Sequence, residues 1–266
     1  MIDIDDFDAY CFDLDGTVYV GDKLLPGVKE TMQRLRTHNK KILFITNSPI
    51  RTRRNCLEHL QSLGVSCELD EIITAPLISA FYFLETAPDS PVYFTGEQAI
   101  QNKLNDYINI TENPLEAHYI LVGLDRSFTY KKLNSAMTAV QNGAKLVVMN
   151  PDPNYPIPGG YMSDTMAIAR AIETASNQPI YKIIGKPSRY YGQKVIDILK
   201  TTNDQCLIIG DRLETDIMLG KTNNFQTCLV LTGVSKQNDM KQTNIYPDYM
   251  IDNLFALFQQ RTQEVP

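Results

Sequence analysis

Residues 10–17 read Tyr10-Cys11-Phe12-Asp13-Leu14-Asp15-Gly16-Thr17, an apolar run that stops abruptly in two acids, a glycine and a hydroxyl. The run does not alternate apolar with polar. Tyr10 to Leu14 is therefore expected to be a strand buried on both faces, the habit of parallel sheets covered by helices. Ile42 to Ile45, Ile183 to Ile184, Cys206 to Ile209 and Thr227 to Leu231 have the same character. Between these runs the spacing turns helical: Val28, Met32 and Leu35; Cys56, Leu57, Leu60 and Leu63, stopped by Gly64; Tyr191, Val195, Ile198 and Leu199. Strand alternating with helix predicts an α/β core with a doubly wound parallel sheet.

A second, smaller α/β set occupies the middle of the chain. Its strand candidates are Val92 to Thr95, Tyr119 to Val122 and Lys145 to Met149, with a helix between Thr129 and Gly143. The turn Pro88-Asp89-Ser90-Pro91 precedes it, and a Pro/Gly-rich stretch from Asn150 to Gly160 lies near its end. An inserted domain is expected over residues 77–182, splitting the core into 1–76 and 183–266, each boundary good to about four residues.

A chain of 266 residues is long enough for such a core and insertion. With 43% hydrophobic and 21% charged residues the composition is that of a folded globular protein. The 25 basic residues fall short of the 31 acidic ones, a net charge of −6, so bulk electrostatics does not favour nucleic acid as a partner. The acidic N-terminus does not resemble a secretory signal, and no apolar run reaches the roughly 18 residues of a membrane span; a cytoplasmic location is expected. Cys11, Cys56, Cys67, Cys206 and Cys228 are odd in number and form no C-x-x-C pair, which suits small buried hydrophobes.

Four apolar runs end in polar residues of a particular kind: Asp13-Leu14-Asp15-Gly16-Thr17, Thr46-Asn47-Ser48, Gly185-Lys186-Pro187 and Gly210-Asp211-Arg212-Leu213-Glu214-Thr215-Asp216. In a parallel sheet all carboxyl ends share one edge, where open α/β folds place their ligands. Several carboxylates, one ammonium and one or two hydroxyls at one edge match a hard divalent cation beside a phosphoryl group. Mg²⁺ is commonly held by one or two carboxylates plus substrate phosphate, and Asp13 and Asp211 are the natural ligands. Lys186 and the Thr46 hydroxyl are suited to the phosphoryl oxygens, whose charge must be neutralised before a carboxylate can approach the phosphorus.

These four motifs, in order, resemble those of the haloacid dehalogenase (HAD) superfamily of phosphatases. Val122-Gly123-Leu124-Asp125-Arg126 with Thr129-Tyr130, and Gly185-Lys186-Pro187-Ser188, resemble its NagD-like, nitrophenyl-phosphatase branch (subfamily IIA), which carries an α/β cap after the second motif. Gly21-Asp22 with Leu24-Leu25-Pro26-Gly27, and the run from Gly210 to Ile217, are most similar to bacterial sugar-phosphate phosphatases. The resemblance implies Asp13 as the nucleophile that forms an aspartyl-phosphate. It implies Asp15 as general acid and base, with its backbone carbonyl on Mg²⁺. Asn47 joins Thr46 and Lys186 in holding phosphate, and Asp216 is expected to orient Lys186 or a water on the metal. The implied substrate is a small phosphorylated metabolite, foremost a sugar phosphate; a nucleotide or pyridoxal-phosphate phosphatase would use the same machinery.

Simpler readings compete at several positions. Asp15-Gly16-Thr17 alone would be an ordinary turn, and only its company makes it a site. Glu214 reads as a surface acid in a first helical turn; His38, His59 and His118 lie away from the strand ends. Many related caps carry Pro-Gly-x-Gly where this chain has Gly159-Gly160-Tyr161-Met162-Ser163-Asp164. Asp164 has two readings of equal weight, a helix N-cap and an acceptor for sugar hydroxyls. From another class, a receiver-like signalling protein also combines acids, a hydroxyl and a lysine, but needs no large insertion and lacks the second acid of Asp13-x-Asp15. Asp15, Gly16 and Thr17 suit phosphoryl chemistry rather than haloalkanoate dehalogenation. The sequence leaves a homo-oligomer open.

Overall fold

The Ala9–Asp13 strand is central because it is apolar on both faces: all five residues are buried, and parallel partners flank it on either side. The computed structural model describes residues 2–157, 159–258 and the backbone of 263–264. Met1, at the head of the acidic N-terminus, and Pro158, in the Pro/Gly-rich stretch, lie outside the described residues. Two compact units are present, one of Met1–Thr46, Arg53–Ile73 and Lys186–Pro266, the other of Asn47–Thr52 and Thr74–Gly185.

The first unit is built on a seven-stranded sheet in the order 263–264, 249–251, 226–230, 206–210, 9–13, 41–46, 72–74. Pairing is parallel from Tyr249–Ile251 through Gln226–Val230, Cys206–Gly210 and Ala9–Asp13 to Lys41–Thr46. Helix Val28–Thr37 turns Val28, Met32 and Leu35 into a core containing Tyr10, Phe12, Leu14 and Phe44. Phe12 is fully buried with its ring 6.3 Å from that of Phe44; truncating it to alanine would cost about 3–5 kcal/mol. All five cysteines are buried and none is in a disulfide, Cys11 and Cys206 facing each other across adjacent strands with sulfurs 3.5 Å apart.

The second unit has a five-stranded sheet in the order 182–183, 145–148, 119–122, 92–95, 110–111, with its pairs parallel. Helix Tyr130–Gln141, N-capped by the Thr129 hydroxyl, packs Ala136, Ala139 and Val140 against Ile168, Ala169 and Ile172 of helix Thr165–Ser176.

Two features depart from the sequence expectation. The run Ile183–Ile184 was expected among the core strands, but Lys182–Ile183 is an edge strand of the second unit, paired with Lys145–Val148. Apolar character says that a short run is buried and does not say in which sheet. The Pro/Gly-rich stretch, a composition that marks turns and loops, instead forms most of an antiparallel hairpin, Asn154–Ile157 with Gly160–Ser163, whose second strand is exposed and so carries no core pattern. Among the described residues no helix is long and apolar enough to cross a membrane.

Candidate active site

Register places the strand ends. Asp13 lies opposite Ile45, so Thr46 is the next residue along the same edge, and Phe12 lies opposite Ile209, which brings Gly210 and Asp211 there as well. Gly210 lies opposite Leu229, so the chain leaving Gln226–Val230 reaches this edge too.

Lys186 enters from beyond the sheet with its side chain only 1% exposed. Its Nζ donates to Asp13 Oδ1 and Asp216 Oδ1, both at 2.6 Å, and to the Ile45 carbonyl at 3.3 Å. Burial disfavours an ammonium, but Asp13 and Asp216 outweigh it and hold the lysine pKa above its ordinary value. Beneath this group the Tyr191 hydroxyl donates to the Thr46 carbonyl at 3.4 Å, and burial pushes its pKa well up. Tyr191 stands in the first turn of helix Arg189–Leu199, which the Ser188 hydroxyl caps by accepting from the Tyr191 amide.

Asp211 and Asp216 follow strand Cys206–Gly210, with a π-helical turn at Leu213–Ile217 between strand and helix. This widened turn lets Asp216 fold back: its Oδ2 accepts from the Arg212 amide at 3.1 Å while Oδ1 faces Lys186. Burial, opposed by Lys186 and reinforced by Asp216 and Asp211, raises the Asp13 pKa well above a normal carboxyl. Burial and then Asp216 push Asp211 up to about 6, against the Val234 amide, which favours its charged form.

Asp13, Asp211 and Asp216 offer carboxylate oxygens that all lie within 4.8 Å of one another. Three carboxylates face one ammonium, and the negative charge left over is what a hard dication would neutralise. The donor set is all oxygen, as such cations require. These residues fit a divalent metal on chemistry and on charge.

The remaining residues singled out in the sequence are placed less centrally. Asp15 is exposed just past the strand end. Thr46 is 3% exposed and ends its strand. Asn47 opens the segment assigned to the second unit, where its Nδ2 donates to Asp152 Oδ2 at 3.1 Å; Asn150 Nδ2 donates to the same oxygen at 2.9 Å. Asp164, also in the second unit, is buried and N-caps helix Thr165–Ser176, accepting from the Thr165 amide at 2.6 Å and hydroxyl at 3.0 Å.

A haloacid dehalogenase-like hydrolase family model matches residues 10–108, and a second, HAD-hydrolase-like model matches residues 183–257. An acid sugar phosphatase of Staphylococcus epidermidis is 32% identical over 249 residues, 93% of this chain and 95% of the relative. The chain belongs to the haloacid dehalogenase-like hydrolases. Sugar-phosphatase AraL of Bacillus subtilis is 31% identical, covering 91% of this chain and 89% of its own. Among solved structures, a p-nitrophenyl phosphatase from Archaeoglobus fulgidus superposes with a TM-score of 0.89 at 29% identity, covering 94% of this chain and 97% of that one. A 4-nitrophenylphosphatase from Thermotoga maritima gives 0.91 at 27%, covering 96% and 97%. Membership sets the receiver reading aside.

In this HAD-like hydrolase a fifth loop, outside the four strand-end motifs legible in the sequence, also borders the site. Thr232-Gly233-Val234-Ser235 follows strand Gln226–Val230 and lies against Asp211: the Val234 amide donates to Asp211 Oδ2 at 2.6 Å and the Ser235 amide to the Asp211 carbonyl at 3.0 Å. The available signal was a Thr-Gly pair ending an apolar run that had already been read as a strand. Asp152 lies outside those motifs as well, and no local pattern marks it, because its role is to accept from Asn47.

Proposed function

We propose that this HAD-like hydrolase is a Mg²⁺-dependent phosphomonoester phosphatase acting on sugar phosphates through an aspartyl-phosphate at Asp13. The observation that carries the reading is the buried meeting of Asp13, Lys186, Asp211 and Asp216 at one sheet edge, in a chain whose relatives over nearly full length bear sugar-phosphatase names.

Lys186 engages Asp13 Oδ1, so attack on phosphorus is assigned to Oδ2. A new Asp13–phosphorus bond forms as the ester P–O bond breaks, and Asp15 delivers its proton to the departing alkoxide. Asp15, now a carboxylate, takes a proton from water as the water oxygen attacks the aspartyl-phosphate, releasing phosphate and restoring Asp13. Thr46, Asn47 and Lys186 are assigned to the non-bridging oxygens. Asp13, Asp211 and the Asp15 carbonyl would hold the Mg²⁺, and Asp216 holds Lys186. When bound, the cation neutralises charge on phosphate and nucleophile. The exposure of Asp15 suits a group that must meet both a leaving group and water.

The segment inserted between the two core stretches is assigned a cap role, selecting substrates and excluding water during turnover. The deciding experiment is a panel of sugar, nucleotide and pyridoxal phosphates assayed with Mg²⁺ by kcat/KM. Preference for sugar phosphates is expected. A clear preference for nucleotides or pyridoxal phosphate would move the substrate assignment while leaving the chemistry in place.

A further inference from the structure

Asp211 is pressed from two sides by backbone that carries no side chain. A Cβ on Gly16, whose φ is +93°, would lie 2.5 Å from Asp211 Oδ2, and a Cβ on Gly233 would also overlap that carboxylate. The two loops that press on it are remote in sequence yet joined directly: the Thr232 hydroxyl donates to the Gly16 carbonyl at 2.6 Å. On the other side of Gly16, its own amide donates to the Tyr19 carbonyl at 2.8 Å. Both peptide groups of Gly16 are thereby fixed. In a planar trans peptide the C=O points opposite to the N–H, so anchoring the Gly16 amide on Tyr19 also sets the direction of the Asp15 carbonyl. The loop that supplies the Thr232 hydroxyl also supplies the Val234 amide that holds Asp211 Oδ2.

We infer that Thr232 is a positioning residue for the cation site: its hydroxyl locks the Asp13–Gly16 turn to the loop that cradles Asp211, setting the spacing of the carboxylates and the Asp15 carbonyl. It rests on the metal reading given above and goes beyond it by assigning a residue outside the four strand-end motifs. A threonine that merely stapled two surface loops would influence folding stability alike with and without metal. A positioning residue instead alters cation affinity, because groups that orient ligands typically change it about 10- to 100-fold when removed.

The test is calorimetric titration of the full-length, substrate-free protein with Mn²⁺, and then with Mg²⁺. Thr232→Val removes the hydroxyl and keeps the shape; Thr232→Ser keeps the hydroxyl. The expected result is a cation Kd raised at least about 10-fold in Thr232→Val and close to wild type in Thr232→Ser. The Mg²⁺ concentration for half-maximal activity should rise in parallel, with KM for nitrophenyl phosphate at saturating Mg²⁺ unchanged. Thr232→Ala repeats the measurement should the valine variant fold poorly, as judged by circular dichroism of the metal-free protein. Wild-type affinity in the folded valine or alanine variant, alongside loss of binding in Asp211→Asn, overturns the role of Thr232 alone. Absence of cation binding in the wild type overturns the metal reading and this inference together.

Discussion

Lys186 and Asp13 are 173 residues apart and meet at 2.6 Å, with the lysine side chain 1% exposed. Such a pair is an expensive way to hold a fold together, since desolvating two charges offsets most of their attraction. Asp216 makes the arrangement tolerable by giving the ammonium a second carboxylate at the same distance. The result is a cation fixed beside the carboxylate that the proposed reaction requires, present before any substrate arrives.

Asp13→Asn tests that carboxylate. The amide keeps an oxygen for Lys186 but is a poor nucleophile, so turnover of nitrophenyl phosphate should fall at least about 1,000-fold while the circular dichroism spectrum is unchanged. Near-wild-type turnover in a folded variant would remove the nucleophile assignment.

Asp15→Asn should discriminate between leaving groups. General acids contribute about 10²- to 10⁴-fold, and a sugar alkoxide needs that proton far more than nitrophenolate does. The loss in kcat/KM should therefore be larger for a sugar phosphate than for nitrophenyl phosphate. Equal losses on both substrates would count against proton delivery by Asp15.

Asp211 makes the metal-free protein pH-sensitive. Its carboxyl is raised from 3.8 to about 6 in the fold, by burial first and Asp216 second, so between those values the folded state holds a proton that the unfolded state has released. Stability from this group is intact below about pH 4 and is lost as pH climbs through 6, by up to about 3 kcal/mol. In EDTA, Asp211→Asn should match wild type in denaturant unfolding near pH 4 and exceed it at pH 7. A gap that stays constant across this range would show that Asp211 is not strained in the metal-free fold.

Asp164 is buried and spends its Oδ1 on the Thr165 amide and hydroxyl. Asp164→Ala should cost about 1 kcal/mol of stability, with Asp164→Ser recovering most of it. The ratio of kcat/KM for a sugar phosphate to that for nitrophenyl phosphate should be the same in Asp164→Ser as in wild type. A selective drop on the sugar phosphate would revive the reading of Asp164 as an acceptor for sugar hydroxyls.

The sequence by itself determined a great deal of this protein. Apolar runs without alternation marked the strands Ala9–Asp13, Lys41–Thr46, Cys206–Gly210 and Gln226–Val230 to within about a residue, because burial on both faces leaves no other pattern. Parallel pairing then forced the acids at their carboxyl ends onto one edge, which made Asp13 and Asp211 legible without coordinates. Only the tertiary structure decided which sheet owned Lys182–Ile183, since two buried residues look alike in any sheet. The same holds for Asp152 accepting from Asn47 and for the Thr232 hydroxyl held by the Gly16 carbonyl 216 residues away. Those are single hydrogen bonds between loops, made by residue types that occur in every turn; they leave no periodicity to read, and come into being only when the fold brings the loops together.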